Sequence, residues 1–354
     1  MGSPPPVRRF PWVQALRAIA AFSVALTHIL YDALGMAPGH HAVQRAYNAM
    51  PWAAGVDIFF VISGFVIVHA SRSLFATAGA ARRFAVRRLA RIVPLYWLMT
   101  SLLIAGLAAL PGAINGAAGG VGLIVKSYLF IPCARPDGLV QPIFGLGWTL
   151  NYEMFFYCIF ISFLFFRQRR AVVLATLLLA VFVLAGRLGV LHGVILRTWS
   201  DPIVLEFCAG MLLALLPGKF TLHAGLRIAI VGAALILLYF QPGWNRLFAY
   251  GIPAAALVFA AVIGKPASGR PNLEIWLVRL GDASYALYLV HPFVMRAVAL
   301  LWLHLHRPGG IYAYIVISLA LAQIAALAIH RYFEAPVTSW LRSNFEKNEK
   351  LPLF

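Results

Sequence analysis

The sequence predicts an all-α, polytopic membrane protein with about ten transmembrane helices and both termini in the cytoplasm. Three observations predict it. First, the 354 residues are 62% hydrophobic and 11% charged, whereas a soluble domain carries about 25% charged residues. Eleven Asp and Glu cannot supply the polar coat that a soluble chain of this length needs. Second, apolar runs lie near 13–32, 52–70, 91–110, 146–166, 171–190, 202–217, 225–241, 247–264, 283–303 and 311–330. Third, the 29 Lys and Arg divide unevenly when sorted by alternate connections, 21 on the side of the N terminus and 8 on the other. Positive residues stay in the cytoplasm, and an even number of spans returns the tail to the side of the head.

Each element has its own reading. Residues 1–12 form a cytoplasmic lead. The run 13–32 follows Arg8 and Arg9 as a signal peptide would, but it is long and contains Arg17 and His28, so it reads as a retained helix. Those two residues stand eleven apart, which puts them on one face about 16 Å apart along the axis. The run 52–70 carries Asp57 and Ser63, with Gly55 and Gly64 to permit close packing. Residues 71–91 read as a basic cytoplasmic helix running into the third span, with Pro94 just inside that span, where a missing amide is tolerated. Segment 111–145, rich in Gly and Pro, is positioned to cover an opening, and its run 121–131, with Lys126, reads as interfacial. Asn151, Tyr152 and Glu153 begin the fourth span. The run 202–217, with Glu206, is the shortest. Tyr285 and His291 open the ninth span, and His330 and Glu334 close the tenth. The membrane domain covers 13–341, and 342–354 is a cytoplasmic tail.

Several function classes recede at this stage. The net charge of +18 follows from topology and attraction to anionic lipid, so the bilayer is the implied partner and nucleic acid is not needed. Cys133, Cys158 and Cys208 have neither metal-ligand spacing nor the pattern of a disulfide framework. No internal repeat appears, which removes one signature of a secondary transporter.

The titratable residues inside the apolar runs point to function. A charge at bilayer depth costs about 2.5–3.5 kcal/mol on insertion scales. Arg17, His28, Asp57, Glu153, Glu206, His291, His330 and Glu334 all carry that cost, and a structural ion pair is the competing reading for each. Arg88 and Arg91 are three apart and share a helical face. Their forked guanidiniums suit phosphate, and a positive-inside anchor is the plainer alternative. Asn151 and Glu153 need polar partners.

Five segments in order resemble the acyltransferase-3 family of membrane O-acyltransferases. They are Arg17 with His28, the stretch Gly55–Phe65, the pair Arg88 and Arg91, Trp148–Glu153, and Ser284–His291. The wording from Gly147 to Tyr157 looks most like the exopolysaccharide-production branch. The resemblance implies transfer of an acyl group, usually acetyl, from cytoplasmic acyl-coenzyme A to a sugar hydroxyl, in the bacterial cytoplasmic (inner) membrane. It implies acetyl-CoA as co-substrate with no bound cofactor and no metal. Arg17, Arg88 and Arg91 are then the donor-binding residues, and His28 is the catalytic base or acyl acceptor. Asp57 and Glu153 are the candidate carboxylates behind His28, with the choice between them open. Ser63, Asn151, Tyr152, Tyr285, His291 and Glu334 are left as acceptor contacts or structural groups. The partners implied are a glycan acceptor, lipid-linked forms included, and polysaccharide-synthesis proteins. Two other readings compete: a proton-coupled transporter or flippase, and a non-catalytic scaffold for a polysaccharide synthase.

Overall fold

The computed structural model describes residues 10–109, 120–216, 222–240, 245–263, 271–306 and 310–349. Arg8, Arg9, Lys219, Lys265, Arg270, Arg307 and Lys350, which entered the charge count, lie outside the described residues, as does most of the lead 1–12. Among the described residues the regular structure is helical, and the only β pairing is an isolated bridge between Ala134 and Val140. Six helical stretches are long and apolar enough to cross a bilayer: Pro11–Met36, His41–Ala70, Ala80–Ala109, Gln168–Arg187, Ser284–His304 and Gly310–Phe345.

In chain order the helices are α1 (Pro11–Met36), α2 (His41–Asn48), α3 (Gly55–Ala70), α4 (Ala80–Ala109), α5 (Val121–Tyr128), α6 (Trp148–Ile161), α7 (Gln168–Arg187) and α8 (Val194–Trp199). They continue as α9 (Val204–Leu213), α10 (Ala224–Phe240), α11 (Ile252–Val262), α12 (Pro271–Asp282), α13 (Ser284–His304), α14 (Gly310–Ile329) and α15 (Ala335–Glu349). Single π-helical turns, Leu247–Gly251 and His330–Glu334, lead into α11 and α15. The membrane domain and tail, divided by sequence at 341, share one unbroken helix, α15.

The run 202–217 forms a helix of only ten residues, α9. At 1.5 Å per residue that is about 15 Å, half the hydrocarbon thickness. It sits inside the bundle, packed on α3 and α7. Glycines set its contact with α3. A Cβ on Gly64 would strike the carbonyl of Phe207, and a Cβ on Gly210 would strike the carbonyl of Val61. The two backbones are therefore closer than any side chain allows, as in small-residue packing between membrane helices. Gly210→Leu is expected to destabilise the fold by at least the ~1–3 kcal/mol typical of overpacking, read as lost monodisperse protein in detergent. Gly232→Leu is the control, because a Cβ there meets nothing within 4 Å.

The basic segment and the third span form one helix, α4, thirty residues long. Pro94 therefore lies in its interior, not at its first turn as the sequence suggested. A proline there leaves the carbonyl four residues back, that of Ala90, without its amide. Thr338 of α15 donates to that carbonyl at 3.2 Å, and Arg342 donates to the carbonyl of Arg87 at 3.0 Å. Tyr285 of α13 donates to the carbonyl of Ile92 at 2.7 Å. The interruption is thus braced from two helices, which fixes the turn that carries Arg88 and Arg91. At the centre of the bundle, α1 touches α3, α11, α12, α13 and α14.

Candidate functional site

Four helices and the inner face of α1 enclose a cavity of about 100 Å³. From α4 come Arg88, Arg91 and Ile92, one helical face at spacings of three and four. From α6 come Thr149, Leu150, Glu153 and Tyr157, again one face. From α3 come Phe59, Ser63 and Val66, and from α13 come Ser284, Tyr285 and Tyr288. Arg17 of α1 completes the lining. Six residues singled out in the sequence thus meet here: Arg17, Ser63, Arg88, Arg91, Glu153 and Tyr285. The lining holds three guanidiniums against one carboxylate, so the cavity wall is net positive.

The arginines are held, but not neutralised, by their close partners. Arg17 is buried and donates to Gln14 Oε1 at 3.2 Å and to Ser284 Oγ at 3.0 Å. Gln14 in turn donates to Asp282 at 3.0 Å. Both direct partners of Arg17 are neutral, which leaves its charge available to a ligand. Arg88 packs its guanidinium 5.6 Å from the centroid of the Phe84 ring. Its Nε is buried and has no hydrogen-bond partner, an orphan that a ligand oxygen would satisfy. Glu153 accepts from Ser63 at 3.2 Å and also from the hydroxyl of Tyr157.

A second, wider cavity of about 730 Å³ shares Arg17, Arg91 and Val66 with the first. Its wall also includes Asp282, His330, Glu334 and Arg342. His330 and Glu334 pair at 2.9 Å across one turn. The two cavities therefore meet at Arg17 and Arg91.

His28 lies beyond the opposite wall. Tyr288 lines the chamber, and its ring centroid is 6.4 Å from that of His291. His28 Nδ1 is 3.0 Å from His291 Nε2. The partner of His28 is therefore neither of the two carboxylates expected to sit behind it. Glu153 is engaged with Ser63 and Tyr157. Asp57 is gripped by both arms of Arg246, with Nε to Oδ1 at 3.1 Å and Nη2 to Oδ2 at 2.8 Å. Glu206 lies beside that pair, and Arg246 also sits over Trp148 and Tyr250, at 6.0 and 5.6 Å from their ring centroids. This fork, charge-assisted and bidentate, ties α3 to the turn before α11.

Asn151 and Tyr152 point away from the chamber. Asn151 is buried with Oδ1 unpartnered, and Tyr152 packs on Phe60 and Trp148. Sequence reasoning passed over Tyr157, Ser284 and Tyr288. The first was legible as the residue one turn after Glu153. The other two lie within the stretch Ser284–His291 and needed only the helical repeat from Tyr285.

These features define a membrane protein with a basic chamber beside a histidine pair. The chain belongs to the acyltransferase-3 family: the model described as "Acyltransferase domain" matches residues 10–327. It is 35% identical over 301 residues to the "Exopolysaccharide production protein ExoZ" of Rhizobium meliloti (strain 1021), covering 81% of this chain and 90% of that one. It is also 28% identical over 325 residues to the "Acyltransferase MdmB" of Streptomyces mycarofaciens, covering 83% of this chain and 81% of that one. No solved structure shows a significant match.

Proposed function

We propose that this membrane acyltransferase moves an acyl group, acetyl first among candidates, from cytoplasmic acyl-coenzyme A to a sugar hydroxyl of a surface or exported polysaccharide. The observation that carries the reading is the chamber itself, where Arg17, Arg88 and Arg91 converge one wall away from His28, across Tyr288 and His291. Coenzyme A is polyanionic, and paired guanidiniums suit its phosphates. Its pantetheine arm, on the order of 15–20 Å, matches the rise of about 16 Å from Arg17 to His28.

The chemistry then runs in one line. His28 takes the proton of the sugar hydroxyl. The oxygen attacks the thioester carbonyl, the C–S bond breaks, and the imidazolium returns its proton to the departing thiolate. The products are the O-acyl sugar and coenzyme A. An acyl-imidazole relay would use the same histidine lone pair.

About ten crossings, with the short α9 inside the bundle counted among them, and both termini in the cytoplasm of a bacterium with this protein in its inner membrane, belong to the same proposal. In support, Arg17, Arg91 and Arg342 gather at one mouth, and all three fall on the side with 21 positive residues. A glycan acceptor, lipid-linked forms included, and the synthesis machinery that makes it are the partners proposed. The family match and the name of the exopolysaccharide relative support that acceptor class.

Mass spectrometry of surface glycan from cells with and without the protein tests the reading. An acyl mass present only with the protein is the expected result, and fragmentation places it on a sugar. Identical glycan from both strains, together with no transfer from labelled acetyl-CoA by the purified protein, overturns it.

A further inference from the structure

The hydrogen bonds of the histidine pair fix where its protons are. His291 is fully buried, and its Nδ1 lies 3.0 Å from the carbonyl of Leu287. A carbonyl only accepts, so His291 Nδ1 carries a proton. The neighbouring carbonyl of Tyr288 also faces that ring. It is the carbonyl that Pro292 leaves without an amide, because proline has no N–H. The sequence His291-Pro292 therefore builds an acceptor site for its own imidazole.

With Nδ1 protonated, a neutral His291 presents a lone pair at Nε2. An imidazolium there would be a fully buried charge with a second imidazole, rather than a carboxylate, against it, which is costly. Two lone pairs do not face each other at 3.0 Å, so His28 Nδ1 donates to His291 Nε2. The ring centroids are 5.1 Å apart with planes 23° apart, and with the nitrogens at 3.0 Å that separation fits rings joined nearly edge to edge, with the N–H close to the plane of the accepting lone pair. The carbonyl of Val24, one turn back on α1, is a second acceptor beside the His28 ring, and it too calls for a proton on the backbone side of that ring. The remaining nitrogen, His28 Nε2, is then the one with a free lone pair.

We infer that His291 is a positioning residue: it holds His28 as the Nδ1–H tautomer, so that Nε2 is the atom that accepts the proton or the acyl group. A neutral imidazole here takes the place that a carboxylate fills in hydrolase triads. The consequence is chemical as well as geometric. A carboxylate would stabilise the imidazolium by charge, whereas His291 fixes tautomer and orientation by one hydrogen bond. The inference rests on the acyl-transfer reading for its kinetic part and is independent of it for its spectroscopic part.

The test uses full-length protein in nanodiscs with ¹⁵N-labelled histidine, and His28→Gln to assign the His28 signals. Wild-type His28 is expected to show a protonated Nδ1 and an unprotonated Nε2. His291→Leu is expected to shift that population towards the Nε2–H form. It should also lower kcat by at least about 100-fold, the scale of a lost general base, with the KM for acetyl-CoA within threefold of wild type. His291→Gln, which keeps an oxygen near the position of Nε2, should recover at least a tenth of wild-type kcat. Gel filtration checks that each variant is folded. An Nε2–H tautomer in wild type overturns the inference, as does a folded His291→Leu variant within threefold of wild-type kcat. If the wild type transfers no acyl group at all, the acyl-transfer reading falls while the ¹⁵N spectra still decide the tautomer.

Discussion

His28→Ala is expected to lower acyl transfer at least about 10³-fold while leaving coenzyme A binding intact. General-base catalysis alone contributes about 10²–10⁴-fold, and an acyl-imidazole relay would leave no reaction at all. The fold should survive. His28 is only partly buried, and its loss orphans one acceptor, His291 Nε2, at a cost of about 1–3 kcal/mol. Arg17, Arg88 and Arg91 keep their positions, since Ser284, Gln14, Phe84 and the braces on α4 hold them and His28 does not. Labelled acetyl transfer by the purified variant, beside its thermal shift with coenzyme A, separates the two effects. Full activity in a folded variant would remove His28 from the reaction. Loss of the glycan itself, rather than of its acyl groups, would point instead to a scaffold within the synthesis machinery.

What the sequence made legible was local. Arg17 and His28 share a face because eleven residues are close to three turns, and both do point into the bundle. Arg88 and Arg91 line one chamber because three residues are nearly one turn. The glycines at 55 and 64 announced close packing, and Gly64 does meet the backbone of α9. Each of these inferences needs only the helical repeat.

The missed features join distant parts of the chain. Asp57 was read as a candidate behind His28, but its carboxylate is bound by Arg246, 189 residues away. Nothing in either local pattern links them. His291 met His28 across 263 residues, and sequence alone left it among acceptor contacts or structural groups. Pro94 was placed at the start of a span because the apolar run begins there. The basic helix read before that span and the span itself are one helix from Ala80, which puts Pro94 in its interior. The run 202–217 was apolar enough to suggest a crossing, but burial against α3 and α7 asks for the same composition as lipid does. Apolarity alone does not distinguish the two surroundings.

Arg88→Ala and Arg91→Ala are each expected to weaken coenzyme A binding by about 10- to 100-fold. A hydrogen bond to a charged group is worth about 1.5–3 kcal/mol, and about 1.4 kcal/mol is tenfold in affinity. The two positions are not equivalent. Arg91 lines both cavities, so its removal should also slow donor entry. Arg88 lines only the inner chamber, where its unpartnered Nε awaits an oxygen. It also faces Glu153, so its loss leaves a carboxylate with less positive charge nearby. The Arg88 variant should therefore lose some thermal stability, and the Arg91 variant little. The double variant should fall short of the product of the single effects, because neighbouring groups on one ligand couple. Lysine at either position separates charge from shape: it retains the charge but not the planar fork, so intermediate affinity is expected. Isothermal titration of coenzyme A at two salt concentrations reads the affinities, thermal unfolding reads the stability difference, and stopped-flow binding reads the entry rate. Unchanged affinity in both single variants and in the double variant would return Arg88 and Arg91 to anchoring α4 at the membrane surface. The donor would then have to be held by Arg17 and the groups around it.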